Sequence, residues 1–161
     1  MTLGGMLLAI AIPVLIFLYG EIERDYLITR YRAPVGYFLK DILSKRQGSL
    51  DLIMKGKEVI MCAIDGYAGI DQIAELNAKQ KTSLPKDKLP SEDSTLYLLF
   101  FTNDSISRVY FISRLKLGAI NIGNGDACAS REDKFTVQTT KSANGDLENV
   151  LNIFNISKGT K

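Results

Sequence analysis

LYLLFFTNDSISRVYFIS, residues 96–113, is the stretch from which the fold of this chain is read. Residues 96–101 are apolar without interruption and rich in aromatics. A strand with no polar face is buried on both sides, so this segment is expected at the centre of a sheet. Asn103, Asp104 and Ser105 supply turn chemistry. The chain then returns through 106–113, where Ile106, Arg108, Tyr110 and Ile112 alternate with Ser107, Val109, Phe111 and Ser113. That period of two predicts an amphipathic strand beside the central one.

Working outward, residues 134–140 (KFTVQTT) form another predicted strand, and Asn144-Gly145 is a turn signal. The segment after it, DLENVLNIFNI, fits a helix through Leu147, Val150, Leu151 and Phe154. The turn before it favours a strand, and a strand is the expectation. The glycine-rich 120–133 reads as a loop. Upstream, GSLDLIM and EVIMCAI flank Lys55-Gly56-Lys57, the pattern of a hairpin. Tyr37, Phe38, Leu39, Ile42 and Leu43 recur at helical spacing, and so do Ile70, Ile73, Ala74 and Asn77. Between the second helix and the central strand, 81–95 is polar, charged and interrupted by two prolines, an exposed loop. The expected fold is α+β: a small antiparallel-sheet domain of five to seven strands with one or two helices, preceded by an N-terminal transmembrane helix.

That helix is read from residues 2–20, which carry no charge, although the chain has 20 basic and 18 acidic side chains. Nineteen residues of helix span about 28 Å, close to the hydrocarbon thickness of a bilayer. A cleaved signal peptide and a buried soluble helix are the competing readings. The missing basic n-region and the poor cleavage site at Leu18-Tyr19-Gly20-Glu21 favour an uncleaved anchor. The expected organisation is an anchor over 1–20, a connector over 21–46 and a globular domain over 47–161. Arg24, Arg30, Arg32, Lys40, Lys45 and Arg46 follow the apolar segment, and by the positive-inside count they would keep the body in the cytoplasm. Large domains translocate largely regardless of charge, so the cysteines are the better witness to compartment.

Composition narrows the chemistry. There is no histidine, which removes His-based triads and His-ligated metal centres. A net charge of +2 is no nucleic-acid footprint. The run 118–125 is rich in glycine but lacks the GK[ST] ending of a phosphate loop. Asp126, Glu132 and Asp133 lack EF-hand spacing. No catalytic residue, metal, cofactor or small-molecule substrate is expected. The two cysteines, Cys62 in an apolar strand and Cys128 in a polar loop, leave three roles open: core filler, reactive or metal-binding thiol, or disulfide. In a reducing compartment they would be unrelated free thiols. In an exported body, with no other partner in the chain, they would pair.

The order of features is a strand ending in Cys and Gly-Tyr (VIMCAIDGY), then Pro-Ser-Glu-Asp before LYLLFF, then VYFISR, GDAC and KFTVQT. This order, over about 57–139, resembles small enterobacterial periplasmic lipoproteins of the type VI secretion system immunity family. The chain departs from that pattern in having no tryptophan before the first cysteine and no lipobox cysteine. The resemblance implies a single-pass inner-membrane protein, tethered through residues 2–20, whose C-terminal domain lies in the periplasm and binds and neutralises a cognate toxin. Export in turn implies a Cys62–Cys128 disulfide. The expected contact residues are Lys86, Asp87, Lys88, Glu92 and Asp93 in the charged loop, with Asp65 and Tyr67 in the turn after the Cys62 strand. The alternative reading is an accessory or structural subunit of an envelope assembly.

Overall fold

The computed structural model describes residues 30–65, 73–84, 94–123 and 127–154, the side chain of Asp65 excepted. The anchor segment lies outside these residues. Among the described residues no helix is long and apolar enough to cross a membrane. The fold is α+β, and the described residues form two four-stranded sheets and two complete α-helices, α1 (Val35–Lys45) and α2 (Ala78–Thr82). The strands are β1 (Gln47–Ser49), β2 (Ile60–Asp65), β3 (Thr95–Phe101), β4 (Ile106–Ser113), β5 (Ala119–Ile122), β6 (Cys128–Ser130), β7 (Lys134–Lys141) and β8 (Leu147–Phe154).

The first sheet has the order β4-β3-β2-β6 and is antiparallel throughout. As its apolar run predicts, β3 occupies an inner position with both faces covered; its last six residues are all buried. Leu96, Leu98 and Phe100 face one hydrophobic cluster, while Tyr97, Leu99 and Phe101 face another. The first cluster is closed by Phe38, Leu39 and Ile42 of α1 and by Phe135, Val137, Leu151 and Ile153 of the second sheet. The second is closed by Ile73 and Leu76, from the segment leading into α2, with Cys62 and Cys128 inside it.

The second sheet has the order β1-β7-β8-β5. β7 and β8 form the hairpin that the Asn-Gly signal predicts, with Gly145 at φ +87°, a conformation open to glycine at little cost. β5 pairs with β8 in parallel, the exception in two otherwise antiparallel sheets.

Helix α1 ends where Arg46 adopts a left-handed conformation and its N–H caps the carbonyl of Ile42. Its own carbonyl then accepts the N–H of Val137, which ties the helix end to β7. α1 thus supplies core residues from the segment read as connector.

Several expectations change. The hairpin about Lys55-Gly56-Lys57 does not form. Residues 47–49 pair with β7 of the other sheet, and Leu50–Leu52 form a 3₁₀ turn that buries Leu50. β2 pairs instead with β3 and β6. The helix expected over 70–80 reduces, in the described residues, to α2. Its N-cap Asn77 and Gln80 form a reciprocal capping box, so the chain begins its helical turn there. The loop expected over 81–95 is shorter at both ends, since α2 runs to Thr82 and β3 starts at Thr95. The loop expected over 120–133 contains most of β5 and all of β6, bringing the strand total among the described residues to eight.

The sulfurs of Cys62 and Cys128 are bonded, and the two residues are directly opposite in the β2–β6 register. Flanking hydrogen bonds, such as Ala63 N–H to the Ala127 carbonyl, place the pair at a non-hydrogen-bonded position, where side chains approach closest. The bridge closes a loop between residues 66 apart. The chain-entropy model assigns such a link roughly 4 kcal/mol. Reduction, or replacement of both cysteines by serine, is therefore expected to lower unfolding stability by about that amount. Urea denaturation with and without reductant measures it.

Candidate functional site

A one-residue irregularity builds the site. Phe100 lies opposite Arg108 and Phe101 opposite Ile106, so Ser107 is the extra residue of a β-bulge. Side-chain direction alternates along a strand, so one inserted residue reverses the parity beyond it. Ile106 consequently joins the disulfide-side cluster, whereas Arg108, Tyr110 and Ile112 turn to the opposite face. The four residues expected on one face are divided by the bulge, and a guanidinium enters the interior between sheet and helix.

Arg108 is 8% exposed and Glu58 is 2% exposed. The pair is bidentate: Arg108 Nε donates to Glu58 Oε1 and Nη2 to Oε2, each at 2.7 Å. Nη2 also donates to the carbonyl of Ile53 at 2.7 Å, and Nη1 donates to the hydroxyl of Tyr110. The guanidinium lies 4.0 Å from the Phe100 ring centroid, close enough for a cation–π contribution. Glu58 accepts two further bonds, from the Lys55 N–H at 2.7 Å and from the Ser107 hydroxyl at 2.8 Å. The bulge residue thus helps satisfy the carboxylate that balances its neighbour. Arg131 grips the same turn from outside, donating to the carbonyls of Gly56 and Glu58 and pairing with Asp51.

Burial pushes the Glu58 pKa up. The hydrogen bonds from Arg108, Lys55 and Ser107 and the positive charge of Arg108 outweigh it, and the carboxyl titrates below its ordinary value. Burial also pushes the Tyr110 phenol up, against the opposing effect of Arg108, so at neutral pH it keeps its proton. The arrangement is one of fixed donors around an ionised, fully solvated carboxylate, the solvation being supplied by protein groups.

The cluster forms part of the wall of a cleft of about 390 Å³ between α1 and the 3₁₀ turn. Phe38 stacks on Tyr110 with ring centroids 4.3 Å apart, which holds the phenol against the helix. Tyr37 and Leu52, from the two elements beside the cleft, are 83% and 56% exposed. Asp41 and Lys55 also line it, with Asp41 paired to Lys45 Nζ at 2.9 Å. The recess is lined mainly by apolar side chains, with Asp41, Lys55, Arg108 and Tyr110 as its polar members.

Of the contact residues nominated from sequence, Asp65 alone falls among the described residues. Asp65 is the last residue of β2, opposite Leu96, and so stands at a strand end instead of in a turn. Tyr67, Lys86, Asp87, Lys88, Glu92 and Asp93 lie outside the described residues. Asp133, considered as a calcium ligand, is buried, and its carboxylate accepts the Ser130 N–H and hydroxyl. Among the described residues no group of three or more carboxylate or cysteine side chains is placed to hold a metal ion. Sequence reading missed the Glu58–Arg108 pair. The available signal was a single arginine among Tyr110, Ile112 and the other apolar residues of a core-facing strand, a charge that burial obliges to find a counter-charge.

Removing one partner from a buried pair leaves the other uncompensated. Glu58→Gln is expected to cost about 3–5 kcal/mol, whereas the double change Glu58→Met with Arg108→Met costs far less. The depressed Glu58 pKa sets the sign of the pH dependence. Its contribution is complete above the ordinary carboxyl pKa of 4.5 and is lost as pH falls through the lower folded value. Urea midpoints between pH 3 and 7 are expected to show that acid limb in the native chain and not in Glu58→Gln.

Comparison with protein-family models, with curated proteins and with solved structures finds no match for this chain.

Proposed function

We propose that this chain is a membrane-anchored periplasmic immunity protein, which binds and neutralises a secreted toxin effector. The observation that carries the reading is the Cys62–Cys128 disulfide, buried at the end of the β2–β6 ladder. Disulfides of this kind persist in oxidising compartments and are rare in the cytosol, which supports export of the domain. Residues 2–20 would then act as its tether. The order of motifs around the two cysteines, which resembles the immunity family, supports the same assignment.

The physical requirements of neutralisation agree with it. A toxin inhibitor needs a surface complementary to its partner and a scaffold that does not deform on binding. A disulfide, two hydrophobic clusters and a buried bidentate ion pair make such a scaffold. Tyr37 and Leu52 offer exposed apolar anchors on it, and Lys86, Asp87, Lys88, Glu92 and Asp93, nominated from sequence, are a second candidate set of contacts.

Two measurements test the assignment. Co-expression with the product of the neighbouring gene, directed to the periplasm, is expected to rescue growth and to give a discrete two-protein complex on purification. Absence of both rescue and complex overturns the function. For the compartment, protein denatured directly from cells without reductant is expected to resist thiol labelling, and to label at both cysteines after reduction. Two thiols labelled before reduction overturn export.

A further inference from the structure

We propose that the cleft beside α1 is the docking site for an acidic side chain of a partner protein, carried on a segment whose neighbouring apolar residues cover Tyr37 and Leu52. The inference rests on the reading of this chain as a toxin-binding protein, and names the chemistry of the contact.

The donors come first. A guanidinium has five N–H groups. In Arg108, Nε, both hydrogens of Nη2 and one of Nη1 are engaged by Glu58, Ile53 and Tyr110. One Nη1 hydrogen remains. Tyr110 accepts from Nη1 through its oxygen, and its own hydroxyl hydrogen is donated to no acceptor among the described residues. Both residues line the cleft, and both are largely buried. Two adjacent unspent donors in a recess fit an acceptor-only group, and a carboxylate presents two oxygens to them.

Charge selects the ionised acceptor. Arg108 is balanced by Glu58 and Lys45 by Asp41. Lys55, exposed at the same cleft, has no carboxylate partner among the described residues, which leaves the cleft positive. The location selects a macromolecule. Tyr37 and Leu52 are largely in water, and only an occupant extending past the recess can cover them. A carboxylate carried in mid-chain has residues on either side to do so, whereas a chain terminus has them on one side only.

The test is a titration of the isotope-labelled full chain with acetyl-leucyl-aspartyl-phenylalanine amide, followed by amide and arginine Nε resonances. Two controls are its asparaginyl counterpart and acetyl-leucyl-asparaginyl-phenylalanine with a free terminal carboxylate. The aspartyl peptide is expected to shift the signals of Tyr37, Leu52 and Arg108, and the asparaginyl peptide to bind about tenfold more weakly. Tyr110→Phe, which keeps the ring stacked on Phe38 but removes the acceptor of one Arg108 bond, is expected to stay folded with a lowered melting temperature and to weaken the aspartyl peptide about fivefold. Equal binding of the aspartyl and asparaginyl peptides, shifts confined to other surfaces, an unchanged affinity in Tyr110→Phe, or no binding at all overturns the proposal. The free-acid peptide binding as tightly as the aspartyl one overturns the choice of a side chain over a terminus. A toxin complex that forms while the peptides fail these criteria removes this inference and leaves the proposed function standing.

Discussion

Complete burial of β3 is the constraint on which the rest of the structure depends. Its last six residues, four aliphatic or phenolic and two phenylalanines, are withdrawn from water on both faces. A strand in that position needs hydrogen-bonding neighbours at both edges and an apolar layer above and below. β4 and β2 supply the edges. The second sheet and α1 supply one layer, and the segment containing Ile73 and Leu76 supplies the other. The disulfide extends the same logic sideways. β6 is three residues long, and the Cys62–Cys128 bond adds a covalent link to its ladder with β2.

The bulge at Ser107 is where this apolar arrangement admits a charge. An arginine on an uninterrupted β4 would lie opposite Leu99 and face the disulfide cluster. The inserted residue sets it opposite Phe100 instead, in reach of Glu58, Ile53 and Tyr110. The resulting pair is a weak source of net stability, since desolvation of both ions offsets much of their attraction. Its structural effect is more specific. It fastens the 53–58 turn to β4, and so places the 3₁₀ turn and Leu52 across from α1. The group that organises the turn and the recess beside it are thus parts of one arrangement, in which polar atoms left over from an internal ion pair are available to a ligand.

Elements whose signal is local were legible. The central strand, its β4 neighbour, the β7–β8 hairpin and α1 each carry their own periodicity or turn chemistry, and each forms where that signal lies. The misread segments lack such a signal. Residues 47–64 look like a hairpin because two apolar runs flank a glycine, yet Gly48 packs so tightly that a β-carbon there would lie 3.0 Å from Leu52 and 3.1 Å from Phe135. That proximity commits β1 to the second sheet. β5 and β6 are four and three residues long, at or below the shortest run over which alternation can be read. The cleft was invisible for a related reason. Its walls come from α1, the 3₁₀ turn and β4, which are distant in sequence and have no shared motif.

The amino-acid sequence by itself determined that one strand would be buried on both faces, that an antiparallel α+β body would form around it, and that a disulfide within it could join only Cys62 and Cys128. Those are properties of composition and of short-range order, and the hydrophobic effect acts on them wherever they occur. Only the tertiary structure decided that Cys62 would meet Cys128 across adjacent strands, that Glu58 would meet Arg108, and that Tyr110 would close a recess with α1. These depend on register and on which layers stack. A single inserted residue reverses side-chain direction for the remainder of a strand, so the face on which a charge arrives is settled by pairing between segments far apart in the chain.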